Sequence, residues 1–132
     1  MRKFDILVID DEEDPRHEWF REVLLPMGHQ VRSAYTAQGA VEEMAQRAYD
    51  VVFFDHDLGQ DPVNGSMIAG RVLNDPGTYQ TPAAVWVHSM NWNGALNIAS
   101  KFRSAGIPTI VESFAELLYR NNLQEALEAL VP

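Results

Sequence analysis

The 132 residues predict an α/β fold: five strands in a parallel sheet, doubly wound, with helices covering both faces. Three observations predict it. Short runs such as Ile6-Leu7-Val8-Ile9, Val51-Val52-Phe53-Phe54 and Ala84-Val85-Trp86-Val87 are apolar at every position, the pattern of strands buried on both faces. Segments with apolar residues at helical spacing separate these runs, and strict strand–helix alternation implies parallel strands joined by crossovers. Several runs end directly in polar or ionisable clusters. Right-handed crossovers gather the carboxyl ends of all strands on one rim, where open α/β sheets keep their ligand sites.

The elements follow in order. A first strand is expected over 3–9, ending in Asp10-Asp11-Glu12-Glu13-Asp14. Asp14-Pro15 has the chemistry of an N-cap and first-turn proline, and Trp19, Phe20, Val23, Leu24 and Met27 mark one helical face that Gly28 stops. His29–Tyr35 reads as the second strand. Thr36 caps a second helix carrying Val41, Met44, Ala45 and Ala48. The central strand is Asp50–Asp55. Residues 56–65 are loop chemistry, with Gly59, Asp61, Pro62, Asn64 and Gly65. Ser66–Leu73 is a short helix. Ala83–Val87 is the fourth strand and runs into His88-Ser89-Met90-Asn91. A fourth helix presents Ala95, Ile98, Ala99, Phe102 and Ala105, with Gly106 as its stop, and Ile107–Val111 is the fifth strand. Ser113-Phe114-Ala115-Glu116 is a capping box that starts the last helix at Phe114. Its early Phe114, Leu117 and Leu118 and its late Leu123, Leu127 and Leu130 fall on opposite faces of a continuous helix. Either the helix breaks near Asn121-Asn122, or its far face covers a partner.

Length suits a single domain over 1–132, and 46% hydrophobic content suffices for a core. With no cysteine there is no disulfide framework and no thiolate zinc site, which fits a cytoplasmic protein. No apolar run approaches the roughly 20 residues of a membrane span, and the N-terminus lacks the pattern of a signal peptide. The net charge of −9 disfavours direct DNA or RNA backbone binding. A small phosphorylated ligand held through a metal stays compatible with it.

The predicted rim collects Asp10, Asp11, Asp55, His56, Asp57, His88 and Ser89. Carboxylates and imidazoles crowded this way repel or desolvate one another unless a cation or a reaction uses them.

Over almost its whole length the chain resembles the receiver domains of two-component response regulators, a flavodoxin-like fold whose implied strand order is 2-1-3-4-5. Asp10-Asp11 matches the receiver's metal-binding acids, Asp55 its phosphoacceptor, and Asn64-Gly65 the opening of its third helix. The receiver lysine at the end of strand five is absent: Glu112 stands there, and Lys3 and Lys101, the chain's two lysines, lie elsewhere. A narrower resemblance fits better. Asp55-His56-Asp57-Leu58-Gly59 with His88-Ser89-Met90-Asn91 is similar to the cyclic-phosphate-processing receiver-like domains, which carry DHDLG and HSxN signatures at these stations. That resemblance implies binding or hydrolysis of a cyclic phosphate, on a nucleotide or an RNA end.

On this reading Asp10, Asp11 and Asp55 hold Mg²⁺ or Mn²⁺ through hard oxygens, with the backbone carbonyl of residue 57 completing the set. His56 and His88 supply acid and base for a metal-dependent cyclic phosphodiesterase, since free imidazoles titrate near ~6.5. Asp55 as nucleophile is the alternative chemistry. Ser89, Asn91, Asp57 and Arg16 are candidate phosphate contacts, and Trp92, placed in a polar loop over Asn91–Gly94, is a candidate base-stacking surface. Each has a plainer alternative. His88 can bond a neighbouring loop, His56 can point away from the pocket by alternation, and Asp57 can close a turn. Ser89 and Asn91 can organise their own loop. His17 and His29 carry no usable signal. The rival function is a stand-alone receiver phosphorylated on Asp55 that signals through a partner protein.

Overall fold

A computed structural model, which describes residues 1–132, orders five parallel strands β2-β1-β3-β4-β5. The strands are β1 (Asp5–Ile9), β2 (Gln30–Ala34), β3 (Val51–Phe54), β4 (Ala84–Val87) and β5 (Thr109–Val111). The helices are α1 (Glu18–Leu24), α2 (Ala37–Gln46), α3 (Gly65–Asn74), α4 (Trp92–Ser104), α5 (Phe114–Leu118) and α6 (Leu123–Leu130). The fold class is the one the sequence predicts, and the strand order is the one the receiver resemblance implies. No helix is long and apolar enough to cross a membrane.

The continuous apolar runs are explained by two cores, one on each face. Every residue of β3 and β4 is buried. Along β1, β3 and β4 the side chains alternate between cores. Leu7, Ile9, Val52, Phe54, Val85 and Val87 join the packing of α2, α3 and α4. Ile6, Val8, Val51, Phe53, Ala84 and Trp86 join that of α1, α5 and α6. This alternation carries past the strand ends and decides which side of the rim each functional residue occupies.

Caps set the helix starts that matter for the site. Asn64 Oδ1 accepts from the Met67 N–H (3.0 Å) and Asn91 Oδ1 from the Gly94 N–H (2.9 Å). Each satisfies a donor that the first helical turn leaves unpaired. The Ser113–Glu116 capping box forms as expected. The end of the chain breaks rather than presenting a bare face: α5 stops at Leu118 and α6 restarts at Leu123, so Leu117, Leu123 and Leu127 all reach one core. Asn122 precedes α6 without a side-chain capping bond; its side-chain oxygen instead accepts from Arg120 Nη1 (3.1 Å).

Two local expectations are corrected. Trp92 does not lie in a loop but is the first residue of α4, because the Asn91 cap starts the helix there. The first helix has no capping bond from its acidic leader: an irregular helical turn over Glu13–His17, with Asp14 extended (φ −115°, ψ 127°), leads into α1 at Glu18.

Candidate functional site

The rim divides along the alternation. Asp10, Asp55 and His88 each follow a residue of the α2–α4 core, and their side chains turn toward α1 and α5. His56, one residue further on, turns the other way, onto the first turn of α4, whereas the Ser89 hydroxyl still reaches Asp55.

On the inner side, His88 Nε2 donates to Asp10 Oδ2 at 2.8 Å, with both side chains fully buried. The His88 ring sits among Phe20, Phe53 and Phe114, with centroids 5.3–6.4 Å apart, and its Nδ1 has no partner. Arg16 Nη1 donates to Asp10 Oδ2 and to Asp55 Oδ2, each at 3.2 Å, while Arg16 Nε reaches Glu12 Oε2 at 3.2 Å. Ligand oxygens of Asp10, Asp11 and Asp55 all lie within 4.8 Å of one another. Two of these acids are buried and Asp11 is exposed, so the cluster opens outward through Asp11.

Their acidities diverge, as neighbouring carboxylates do when their surroundings differ. Burial pushes the Asp55 carboxyl up to about 6; the Asp10 charge adds to this, and His88, Arg16 and the Ser89 hydroxyl only partly offset it. Burial acts on Asp10 as well, but the hydrogen bond and charge of His88 outweigh it. Together with the Glu12 N–H and Arg16 they hold Asp10 below the usual carboxylate range. For Arg16, burial works against the charge, yet Asp10 and Asp55 raise its pKa further, so the guanidinium stays charged.

The donor set fits a hard divalent cation. Three carboxylates converge, and all the donors are oxygens. Gly59 makes room for the outer one: its φ is +63°, and a Cβ there would lie 2.6 Å from Asp11 Oδ2. The glycine is therefore demanded twice, by backbone conformation and by the approach of Asp11.

Above the acids a cleft of about 220 Å³ is lined by Asp11, Glu12, Arg16, Asp55, Asp57, Gly59 and Met90. Neither His56 nor His88 is among its walls. His56 Nδ1 lies 2.9 Å from Asp57 Oδ1 and 3.3 Å from Asn91 Nδ2. The shorter contact to the carboxylate sets the tautomer with Nδ1–H donating and Nε2 bare. The ring rests on the first turn of α4, where a Cβ on Gly94 would come within 2.3 Å of His56 Cγ. Gly65 is required in the same way, since its Cβ would lie 2.5 Å from the Asp55 carbonyl oxygen.

The remaining candidates separate. Ser89 Oγ accepts from the Asn91 N–H at 3.0 Å, and Asn91 caps α4, so both organise the β4–α4 loop. Asp57 is exposed at the cleft mouth. Trp92 is 55% exposed on α4, beside an exposed Met90. Glu112, in the position of the receiver lysine, is clamped by Arg120 Nη2 at 2.8 Å and so carries its own cation. Lys101 donates to the Ser66 carbonyl on the flank of the molecule.

Sequence reasoning missed three residues. His17 is fully buried and its Nε2 donates to the Asp10 carbonyl at 2.7 Å, fixing the backbone of the acid pair. His29 joins the Phe4 N–H (3.0 Å) to Gln124 Oε1 (2.6 Å) and so ties the residue that leads into β1 to α6. Neither has a local pattern that could have exposed it. Gly94 had one, lying three residues beyond Asn91.

The family described as the cyclic-phosphate processing receiver domain matches residues 6–104. No curated protein matches the chain. Among solved structures, the receiver domain of NtrX from Brucella abortus is similar at 26% identity and TM-score 0.66, over 94% of this chain and 98% of that one. A longer NtrX structure aligns at 25% identity and TM-score 0.67 over 97% of this chain, which spans only 28% of its length. The response regulator TrrA from Thermotoga maritima, in complex with Mg²⁺-BeF, is 22% identical over 99% of this chain and 100% of that one, with TM-score 0.66.

Proposed function

The chain belongs to the cyclic-phosphate processing receiver family, and on that premise we propose that its rim binds a small cyclic phosphodiester through a divalent cation and hydrolyses it. The observation that carries this reading is the convergence of Asp10, Asp11 and Asp55 beneath a cleft whose wall includes Asp57, the hydrogen-bond partner of His56. Mg²⁺, or Mn²⁺, would be held by the three acids and would polarise a phosphoryl oxygen. TrrA, whose structure holds Mg²⁺, supports magnesium as the first choice.

The protein's own groups then divide the work. His88 acts through Asp10, holding its carboxylate charged and aimed at the cluster from a position that substrate does not reach. His56, oriented by Asp57, has a bare Nε2 suited to taking a proton from water. Water oxygen bonds to phosphorus, one ring ester bond breaks, and the departing oxygen takes up a proton, leaving a phosphomonoester. Trp92 and Met90 offer the exposed apolar surface beside the cleft on which a nucleobase would stack.

The second reading is a receiver phosphorylated on Asp55, with a signalling partner. The position of Asp55 among the cluster acids favours it; Glu112, in place of the lysine, disfavours it.

The test is turnover of 2′,3′-cyclic nucleotides, an RNA cyclic-phosphate end and ADP-ribose 1″,2″-cyclic phosphate with Mg²⁺, Mn²⁺ or chelator. Metal-dependent hydrolysis that is lost in Asp55→Asn and in His56→Ala is the expected result. Asp55 labelled by acetyl phosphate, with no turnover or binding of any cyclic phosphate, would return the chain to the second reading.

A further inference from the structure

We propose that Arg16 is the resident counter-ion of the cleft, and that its guanidinium must leave the inner acids before a divalent cation can enter. This rests on reading the three acids as a cation site and deepens it by naming what competes for that site.

The competition is over particular atoms. Arg16 Nη1 donates to Asp10 Oδ2 and Asp55 Oδ2, each at 3.2 Å, and these belong to two of the three carboxylates that converge within 4.8 Å. A dication and a guanidinium drawn to the same oxygens repel each other at contact distance, in a setting that solvent screens poorly. The structure also shows how Arg16 can yield. Its other anchors lie away from those oxygens: Nε bonds Glu12 Oε2 at 3.2 Å, and the guanidinium carbon stands 5.2 Å from the Phe114 ring centroid. Release of Nη1 leaves the side chain tethered at the wall of the cleft.

There Arg16 meets a need that no other side chain fills. It is the only cationic residue lining the cleft. Arg120 is engaged by Glu112 and Lys101 by the Ser66 carbonyl. A guanidinium freed from carboxylates presents several N–H donors to a phosphoryl group. Arg16 thus opposes the cation while no anion is present and supports the anion once the cation is in place. Its single charge offsets part of the acids' charge until the cation arrives, and binding of metal and phosphate becomes coupled.

The test compares wild type with Arg16→Gln in a Mn²⁺ titration followed by the electron paramagnetic resonance of free Mn²⁺, with no phosphate present. The variant is expected to bind Mn²⁺ about tenfold more tightly or better, since a competing charge is gone. With saturating Mg²⁺ it is expected to bind inorganic phosphate more weakly than wild type does. Equal or weaker Mn²⁺ affinity in the variant would overturn the proposal. Should Arg16→Gln fail to fold, the ¹⁵N resonance of Arg16 Nε in wild type decides: it must move on Mg²⁺ addition, and a resonance unmoved at saturation overturns the proposal. Turnover enters none of these readouts. Competition without hydrolysis therefore supports the proposal and removes only the hydrolytic reading, whereas no Mn²⁺ binding by either protein overturns both.

Discussion

The two sides of the rim are built from the same residue types and behave as opposites. On the inner side His88, Asp10, Asp55 and Arg16 are nearly all removed from water, and three of them meet at one Asp10 oxygen. On the outer side His56 is also largely covered, with its side chain 13% exposed, but its partner Asp57 is open to solvent, and the ring rests on a helix turn that has no side chain of its own at Gly94. Both sides thus hold a histidine bonded to an aspartate. Burial of the aspartate makes the difference. An inner group is expensive to unpair because no water replaces the lost partner, whereas an outer group can exchange partners with solvent or ligand. The inner side is therefore suited to holding a fixed set of paired groups and the outer side to chemistry that needs proton exchange.

The largest effect should come from the histidines themselves. His88→Ala leaves a cavity among Phe20, Phe53 and Phe114 and strips Asp10 of its donor, so a loss of about 3 kcal/mol is expected in urea denaturation. His56→Ala should lose about 1 kcal/mol, because its ring packs on a bare helix turn and its carboxylate partner is open to water. Similar losses for the two would erase the contrast.

Next in size is Asp55. Its folded carboxyl titrates near 6 against an ordinary value of 3.8, so the folded state binds this proton more tightly than the unfolded one. Stability from this group is present at low pH and is lost as pH rises through about 6. In chelator, Asp55→Asn should therefore be more stable than wild type by about 2–3 kcal/mol at pH 8, with the difference vanishing toward pH 4. A difference independent of pH would show that Asp55 is not desolvated.

The outer side gives a smaller effect with a change of sign. Gly94→Ala drives a methyl into the His56 ring and should destabilise by about 1–2 kcal/mol. In a His56→Ala background the same change should stabilise by up to about 1 kcal/mol, because alanine is the better helix former. A double-mutant cycle showing no coupling would place the ring elsewhere. The smallest effect is expected for Arg120→Ala, about 1 kcal/mol or less, since its pair with Glu112 is partly exposed.

The fold was legible because the centre of this sheet is buried on both faces. Uninterrupted runs such as Val51–Phe54 have one reading as strands, and the helices between them leave a parallel sheet. The strand ends were legible too, since polar residues abruptly follow apolar ones at Asp10, Asp55 and His88. What the sequence did not reveal is direction. His56 and His88 look equivalent as neighbours of strand ends, yet one residue of offset in the alternation sends them to opposite sides. Trp92 was misplaced because an asparagine before an aromatic reads as loop until its side chain is seen to cap α4. His17 touches Asp10 across seven residues of irregular backbone, a contact that no periodicity encodes.

The most direct measurement is the ³¹P spectrum of 2′,3′-cyclic AMP with the protein, recorded with Mg²⁺ and again after chelation. A cleft that works through the inner acids should broaden or shift the cyclic-phosphate resonance only while Mg²⁺ is present, and convert it to a monoester if the outer histidine completes hydrolysis. A spectrum identical with and without Mg²⁺, beside ready labelling of Asp55 by acetyl phosphate, would contradict the account.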